Sequence, residues 1–411
     1  MTDTVITPIE NGSVTSVPGY SAAGIPAGIK RRERLDLALV VAEQPSVAAA
    51  VFTTNAFKAA SVLYNQQVLA TNPSGWRAVV INSGCANACT GEQGHRDAHA
   101  MAQAVADALG VATDAVMVMS TGVIGQLLPM DKILPGIAAA HGQLGTDQES
   151  GHNAARAIMT TDTRPKECAA TVSGAGFTLH IAGMAKGSGM IHPNMATMLC
   201  AIVTDVRIIA RLAQQALREV TAETFNAITI DGDTSTNDTV LLTANGLAEM
   251  PLIDDDRSAG YHVFVEGLQY AATELAQAIV RDGEGASHFV EITVEGAHTP
   301  ADAKQVAMSI AKSSLVKTAI YGQDANWGRI ICAVGYSGVA VDPDRVSVWL
   351  GDLELVRNGA PYHIDEEHAA AILAQNDVRI RVHLNLGAAS ATVWTSDLTH
   401  KYVDINARYR T

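Results

Sequence analysis

Basic residues are in short supply. The chain of 411 residues has 28 Lys and Arg against 42 Asp and Glu, for a net charge of −14, and no basic run longer than Lys30-Arg31-Arg32. Nucleic-acid binding needs a basic face that neutralises phosphates, so that class is excluded. The acidic balance favours solubility and says little about substrate. Cysteines are few: Cys85, Cys89, Cys168, Cys200 and Cys332. Their odd number and scattered, apolar settings argue against a disulfide framework and for a reducing compartment. Cys85 and Cys89, with His95 and His99 nearby, lack the further converging ligands that a metal site needs. Small buried thiols in a Gly/Ala-rich turn are expected there, and no metal. Long apolar runs are missing too. Met1 to Asn11 carries Asp3 and Glu10, without an apolar run of signal length, and no stretch approaches an uncharged membrane span. The expected location is the cytoplasm.

What is present is a large supply of small and branched apolar side chains. Hydrophobic residues make up 48% and aromatics 5%, a composition suited to closely packed sheets and helices. The length implies two or more domains. Apolar runs over Leu35 to Val41, Arg77 to Ile81 and Ala115 to Met119 predict strands. Gly94 to Leu109 has helical spacing and a stop at Gly110. Further helices are expected over Asp131 to His141, Thr146 to Met159, Ile208 to Thr224 and Gly260 to Ile279. Further strands are expected over Cys168 to Val172, Phe177 to Ala182, Leu199 to Thr204 and Asn226 to Ile230, with a polar loop at Asp231 to Asp238. After His288 the texture changes to alternating strands (Phe289 to Val294, Arg345 to Leu350, Val378 to Leu384, Ala391 to Trp394) and helices at Ala301 to Ser314 and Glu366 to Gln375. The expected organisation is α/β throughout, with a main domain over 1–285 and a smaller one over 286–411, packed without a flexible linker.

The informative segment is Gly183 to Leu199. It lacks the P-loop order, because Lys186 precedes the glycines. It also lacks the Gly-x-Ser-x-Gly elbow, which leaves Ser188 a poor nucleophile candidate. Ala196-Thr197 stands at the start of an apolar strand, and Pro193 restricts His192 to extended geometry. Attack of the Thr197 hydroxyl on the Ala196 carbonyl, with the peptide C–N bond breaking and water then hydrolysing the ester so formed, would cut the chain there. The α-amino group so released titrates near neutrality beside its own hydroxyl, and supplies the base that a weak threonine nucleophile needs.

Lys186-Gly187-Ser188-Gly189-Met190-Ile191-His192-Pro193-Asn194-Met195-Ala196-Thr197-Met198-Leu199 resembles the signature of the ornithine acetyltransferase family, the glutamate N-acetyltransferases of arginine biosynthesis. Similar matches are Pro18 to Ile25, Val51 to Asn55, Asn82 to Gly91 (with Cys85 where Asn is commoner), Asp231 to Asp238, Asn326 to Ile330 and Tyr402 to Thr411. The resemblance therefore spans essentially the whole chain. It implies self-cleavage between Ala196 and Thr197 into fragments 1–196 and 197–411, assembled as two copies of each. It implies a layered α/β sandwich related to N-terminal-nucleophile aminopeptidases, with a smaller C-terminal α/β domain whose tail returns to the active site.

The implied reaction is ping-pong transfer of an acetyl group from N-acetyl-L-ornithine to L-glutamate through an acetyl ester of Thr197. No cofactor is required, and acetyl-CoA is left open as a second donor. The resemblance assigns Thr121 and Gly122 to an oxyanion hole, and these lie where a strand is expected to meet a helix start with free N–H groups. It assigns substrate contacts to Thr160 (or its neighbour Thr161), Lys186, Thr197, Glu284, Asn406 and Thr411. Lysine suits the substrate carboxylate and Glu284 the amino group. Two alternatives stand beside this reading: an N-terminal-nucleophile amidase or aminopeptidase that uses water as acceptor, and a non-catalytic binding protein on the same fold.

Overall fold

The computed structural model describes residues 4–30, 34–192, 198–362 and 365–408. Ala196, Thr197 and Thr411 thus lie outside the described residues. The chain forms two compact units. The first comprises 1–187, 193–226 and 234–279, and the second 188–192, 227–233 and 280–411. The sequence boundary expected at 285/286 falls a few residues beyond the division between Ile279 and Val280. Two short segments, Ser188–His192 and Ala227–Asp233, go to the second unit although the surrounding chain belongs to the first.

Among the described residues, the first unit is built on one nine-stranded sheet. In chain order its strands are β1 (Val5–Pro8), β2 (Tyr20–Ile25), β3 (Leu37–Phe52), β4 (Trp76–Cys85), β5 (Val116–Val123), β6 (Lys166–Gly174), β7 (Phe177–Lys186) and β8 (Leu199–Thr204). After β9 (Ile228–Thr229), which belongs to the second unit, comes β10 (Thr239–Ala244). The strand order is β1-β6-β7-β8-β10-β3-β4-β5, with β2 paired to β3. Side chains of β3 alternate between two cores. Ala38, Val40 and Ala42 join Met184, Leu199 and Ala201 on one face. Leu37, Leu39 and Val41 join Val80, Met101, Val105 and Ile133 on the other. This is the period of two that a strand imposes. A sheet covered on both faces reads as a continuous apolar run, and that is how Leu37 to Ala42 reads.

The helices α1 (Ala60–Thr71), α2 (Gly91–Leu109), α3 (Met130–His141), α4 (Gln148–Ala157), α5 (Ala210–Glu223) and the long α6 (Ala259–Arg281) complete that half of the chain. α2 ends as expected at Gly110, which takes φ +67 and caps the helix in the left-handed region. Sequence periodicity missed α1 because its buried positions include the polar Ser61 and Asn65. It also missed β10, a fully buried strand that follows the polar loop and has no alternation to signal it.

The second unit carries a seven-stranded sheet among the described residues, ordered β14-β13-β12-β15-β11-β16-β9. Its later strands are β11 (Phe289–Ala297), β12 (Ser347–Leu350), β13 (Leu353–Arg357), β14 (Ala360–Pro361), β15 (Asp377–His383) and β16 (Ala389–Ser396). Its helices are α7 (Pro300–Lys312), α8 (Ser314–Tyr321), α9 (Trp327–Gly335), α10 (Glu366–Leu373) and α11 (His400–Ala407). On β15, Val378, Ile380 and Val382 are buried while Asp377, Arg379 and Arg381 are exposed, so one face meets solvent and the sequence alternates. No helix among the described residues is long and apolar enough to cross a membrane.

Candidate active site

In the first unit the candidate residues gather around the start of β8. β7 runs antiparallel to β8, and Lys186 at its end pairs with Leu199. On the other side, Thr239 of β10 pairs with Leu199, and its N–H donates to the Met198 carbonyl at 3.0 Å. Two residues earlier, the buried Asn237 side chain reaches across to β5. Its amide donates to the carbonyls of Ser120 at 2.7 Å and Ala86 at 2.5 Å. Asn237 thereby ties the Ser120-Thr121-Gly122 end of β5 to β10, one of the two strands that flank β8. In the sequence, Asn237 is one polar residue of the Asp231 to Asp238 loop and carries no signal of its own.

One local expectation is corrected. Thr121 and Gly122 do not sit at a helix start. They lie within β5, where Ser83 pairs with Thr121 and Gly84 with Gly122 on β4, and the next helix begins at Met130. The parallel ladder simply runs on past the expected end of the strand. Any helix-dipole contribution from α3 is therefore removed from this turn. Gly122 takes φ +132, and a Cβ there would lie 2.2 Å from the Gly84 carbonyl carbon. Only glycine lets the two backbones approach so closely. The neighbouring thiols differ from the expectation of a buried pair: Cys85 is buried, but Cys89 is exposed, with φ +57.

Thr160 and Lys186 are brought together by a residue that sequence reading did not single out, Asp162. Its carboxylate accepts from the Thr160 N–H at 2.8 Å, the Gly187 N–H at 2.7 Å and Lys166 Nζ at 2.6 Å. The side chains of Lys166 and Asp162 are 1% and 0% exposed. Burial alone would push the Asp162 carboxyl up. Lys186 and Lys166, with the hydrogen bonds, outweigh that and hold it well below the usual carboxylate range. Lys186 is itself buried, close enough for its charge to act on the Asp162 carboxylate. Thr160-Thr161-Asp162 was legible as a threonine motif, but the carboxylate two positions on carried no signal of its own.

The second unit assembles a different cluster. Glu284 is buried and accepts from Asn406 Nδ2 at 2.7 Å. Its N–H donates to the Ser188 carbonyl at 2.7 Å. A Cβ on Gly189 would lie 2.3 Å from the Glu284 carboxyl carbon, so the glycine makes room for the acid. Asp231 accepts from the N–H groups of Met190 and Ile191, at 2.5 and 2.8 Å, and from the Tyr402 hydroxyl at 3.2 Å. Burial first, then Asp231, pushes the Tyr402 phenol above its ordinary value. Glu284 and Asn406 are thus brought together, and α11 supplies both Tyr402 and Asn406. In the Asn326-Trp327-Gly328-Arg329 motif, Asn326 caps α9 and Arg329 bonds the Leu315 carbonyl at 2.7 Å. The motif's first three residues line a cleft of about 640 Å3 beside α10.

Residues 21–411 match the model of the ArgJ family. The chain belongs to that family. It is 50% identical over 402 residues to the arginine biosynthesis bifunctional protein ArgJ of Symbiobacterium thermophilum, covering 97% of this chain and 99% of the relative. It is 46% identical over 405 residues to the ArgJ protein of Dehalococcoides mccartyi, covering 98% of each. A crystal structure of ornithine acetyltransferase complexed with ornithine from Mycobacterium tuberculosis is 46% identical, over 47% of this chain and 100% of that one, with a TM-score of 0.42. The protein is an enzyme of arginine biosynthesis, an ornithine acetyltransferase.

Proposed function

We propose that acetyl transfer proceeds through Thr197. The chain first cuts itself between Ala196 and Thr197, giving fragments 1–196 and 197–411 that assemble in two copies each in the cytoplasm. The Thr197 hydroxyl attacks the acetyl carbonyl of N-acetyl-L-ornithine while its own α-amino group takes the hydroxyl proton. The negative oxygen of the tetrahedral intermediate is held by the Thr121 hydroxyl and the Gly122 N–H. The amide C–N bond breaks, ornithine leaves with the proton from the N-terminal ammonium, and an acetyl ester of Thr197 remains. The amine of L-glutamate attacks that ester in turn. N-acetyl-L-glutamate leaves and the hydroxyl is restored.

Lys186 and Thr160 hold the substrate carboxylate, and Glu284, steadied by Asn406, meets an ammonium group. Thr411 adds a contact from the tail. The chemistry requires no metal or organic cofactor. Acetyl-CoA is a second acetyl donor in this scheme, in keeping with the word bifunctional in the relatives' names.

The observation that carries the reading is the pairing at the start of β8. Lys186 lies opposite Leu199, two residues after Thr197 in sequence, and Asn237 links the other flanking strand to Ser120. The aminopeptidase alternative is disfavoured by the family match through residue 411. Intact mass of freshly purified protein under denaturing conditions tests the proposal. Two chains are expected, the second beginning at Thr197, and the Thr197→Ala variant should remain one chain. A single uncut wild-type chain would overturn it.

A further inference from the structure

Lys30 stands between the two groups of candidate residues in the first unit. A Cβ built on Gly84 would lie 3.3 Å from Lys30 Cγ, and Gly84 is the residue against which Gly122 packs. The other end of the side chain reaches the Thr160 side: Lys30 Nζ donates to the Met159 carbonyl at 2.6 Å and to the Leu35 carbonyl at 3.1 Å. The backbone that carries it is pinned by Asp36, a fully buried carboxylate that accepts from the N–H groups of Ala27 and Lys30 at 2.6 and 2.8 Å. An ammonium has three protons to donate. Two are used on carbonyls, and among the described residues the third has no acceptor. Burial pushes the group down to about 8, against the pull of Asp36 and Asp162, so near neutral pH it carries a positive charge with one donor to spare.

The two substrates differ by charge in a way that gives this cation a task. N-acetylornithine carries one carboxylate and one side-chain ammonium, and is neutral overall. Glutamate carries two carboxylates and an amino group. Both meet the same nucleophile, so both use one site, and the acceptor brings a carboxylate that the donor lacks. Lys186, held by Asp162, suits the carboxylate common to both.

We infer that Lys30 is a substrate-binding residue that takes the additional carboxylate of the glutamate acceptor. This rests on the site reading given above. The alkyl stem lies beside Gly84 and the ammonium beside Met159, so a ligand spanning from Gly122 to Thr160 passes it. A charge-assisted hydrogen bond lost from a site costs about ten- to a hundredfold in affinity.

The test is steady-state kinetics on the self-processed enzyme with N-acetylornithine and glutamate varied in turn, for wild type, Lys30→Met, Lys30→Arg and Lys186→Met. Lys30→Met is expected to raise the KM for glutamate about tenfold or more, and that for N-acetylornithine by less than about threefold. Lys30→Arg, which keeps the charge, is expected to recover most of the glutamate KM. Lys186→Met is expected to raise both. If Lys186→Met raises both while Lys30→Met affects the two substrates alike or neither, the assignment of Lys30 is overturned and the site reading stands. If Lys186→Met changes neither, the site reading itself fails, and this inference with it.

Discussion

The first unit holds Thr121, Gly122 and Lys186 on strands, with Thr160 in a bend beside a buried ion pair, whereas the second holds its candidates on a turn and a helix near the chain end. Lys186 closes β7, Thr121 and Gly122 lie near the end of β5, and the ladders beside them fix their heights. Glu284 sits in the turn after α6 and is met by Asn406 from α11, whose helix has no fully buried residue. A strand in a sheet buried on both faces cannot shift without breaking its ladder and both cores. A surface helix can fray at modest cost. The two halves therefore differ in what a substitution should do. The first couples binding to the stability of the fold, and the second changes binding with little effect on stability.

The sharpest way to break that contrast is at Asp162. Replacing it by alanine leaves Lys166 and Lys186 buried without their counter-charge, and loses the acceptor for the Thr160 and Gly187 N–H groups. Breaking one partner of a buried pair costs about 3–5 kcal/mol. Urea unfolding should show a loss of that size, together with loss of activity. A variant as stable as wild type would mean that the pair is a passenger.

Asn406→Ala is the matching change in the second unit. It removes one hydrogen bond to Glu284 on an exposed helix. The expected result is a rise of roughly three- to tenfold in KM, from about 1 kcal/mol of lost positioning, with the unfolding midpoint nearly unmoved. A large stability loss would erase the difference between the halves.

The last effect is one of pH, and it is expected at Lys317, behind the second cluster. Its Nζ is buried, donates to Thr395 Oγ1 at 2.9 Å and also meets the Ser396 carbonyl. Burial pushes it down to about 8, against Asp397 and Asp231. The folded value lies below the unfolded one, so between the two the unfolded chain binds more protons, and stability rises as pH increases. Wild type compared with Lys317→Met should show this as an extra upward slope from about pH 8 to the ordinary lysine range. Identical pH profiles for the two would show that Lys317 is not titrating in that window.

Much of this was open to a reading of the residues in order. Helix α2 and its Gly110 stop, strands β6 to β8 and the alternation of β15 follow from periods of 3.6 and 2. The candidate residues Thr121, Gly122, Thr160, Lys186, Glu284 and Asn406 came from motif resemblance, and not from pattern. Three residues that organise the site stayed hidden for different reasons. Asp162 looks like an ordinary turn acid until Lys166 and Lys186 are folded onto it. Asn237 sits in a polar loop whose target carbonyls, Ala86 and Ser120, are distant in sequence. Lys30 belongs to a basic run that reads as a solvated surface.

The sequence by itself determined the local structure and the chemistry available. Period and turn residues decide which segments become strands and helices, and the side chains decide what acids, bases and nucleophiles exist. Only the tertiary structure decided which of them meet. Threading β8 between β7 and β10 sets Lys186 and Thr239 on either side of Leu199. The Gly84–Gly122 contact and the reach of Lys30 to Met159 depend on the order of strands and on crossovers between them. Those contacts join residues far apart in the chain. No local propensity encodes them, because they are selected by how the whole set of apolar faces can be buried at once.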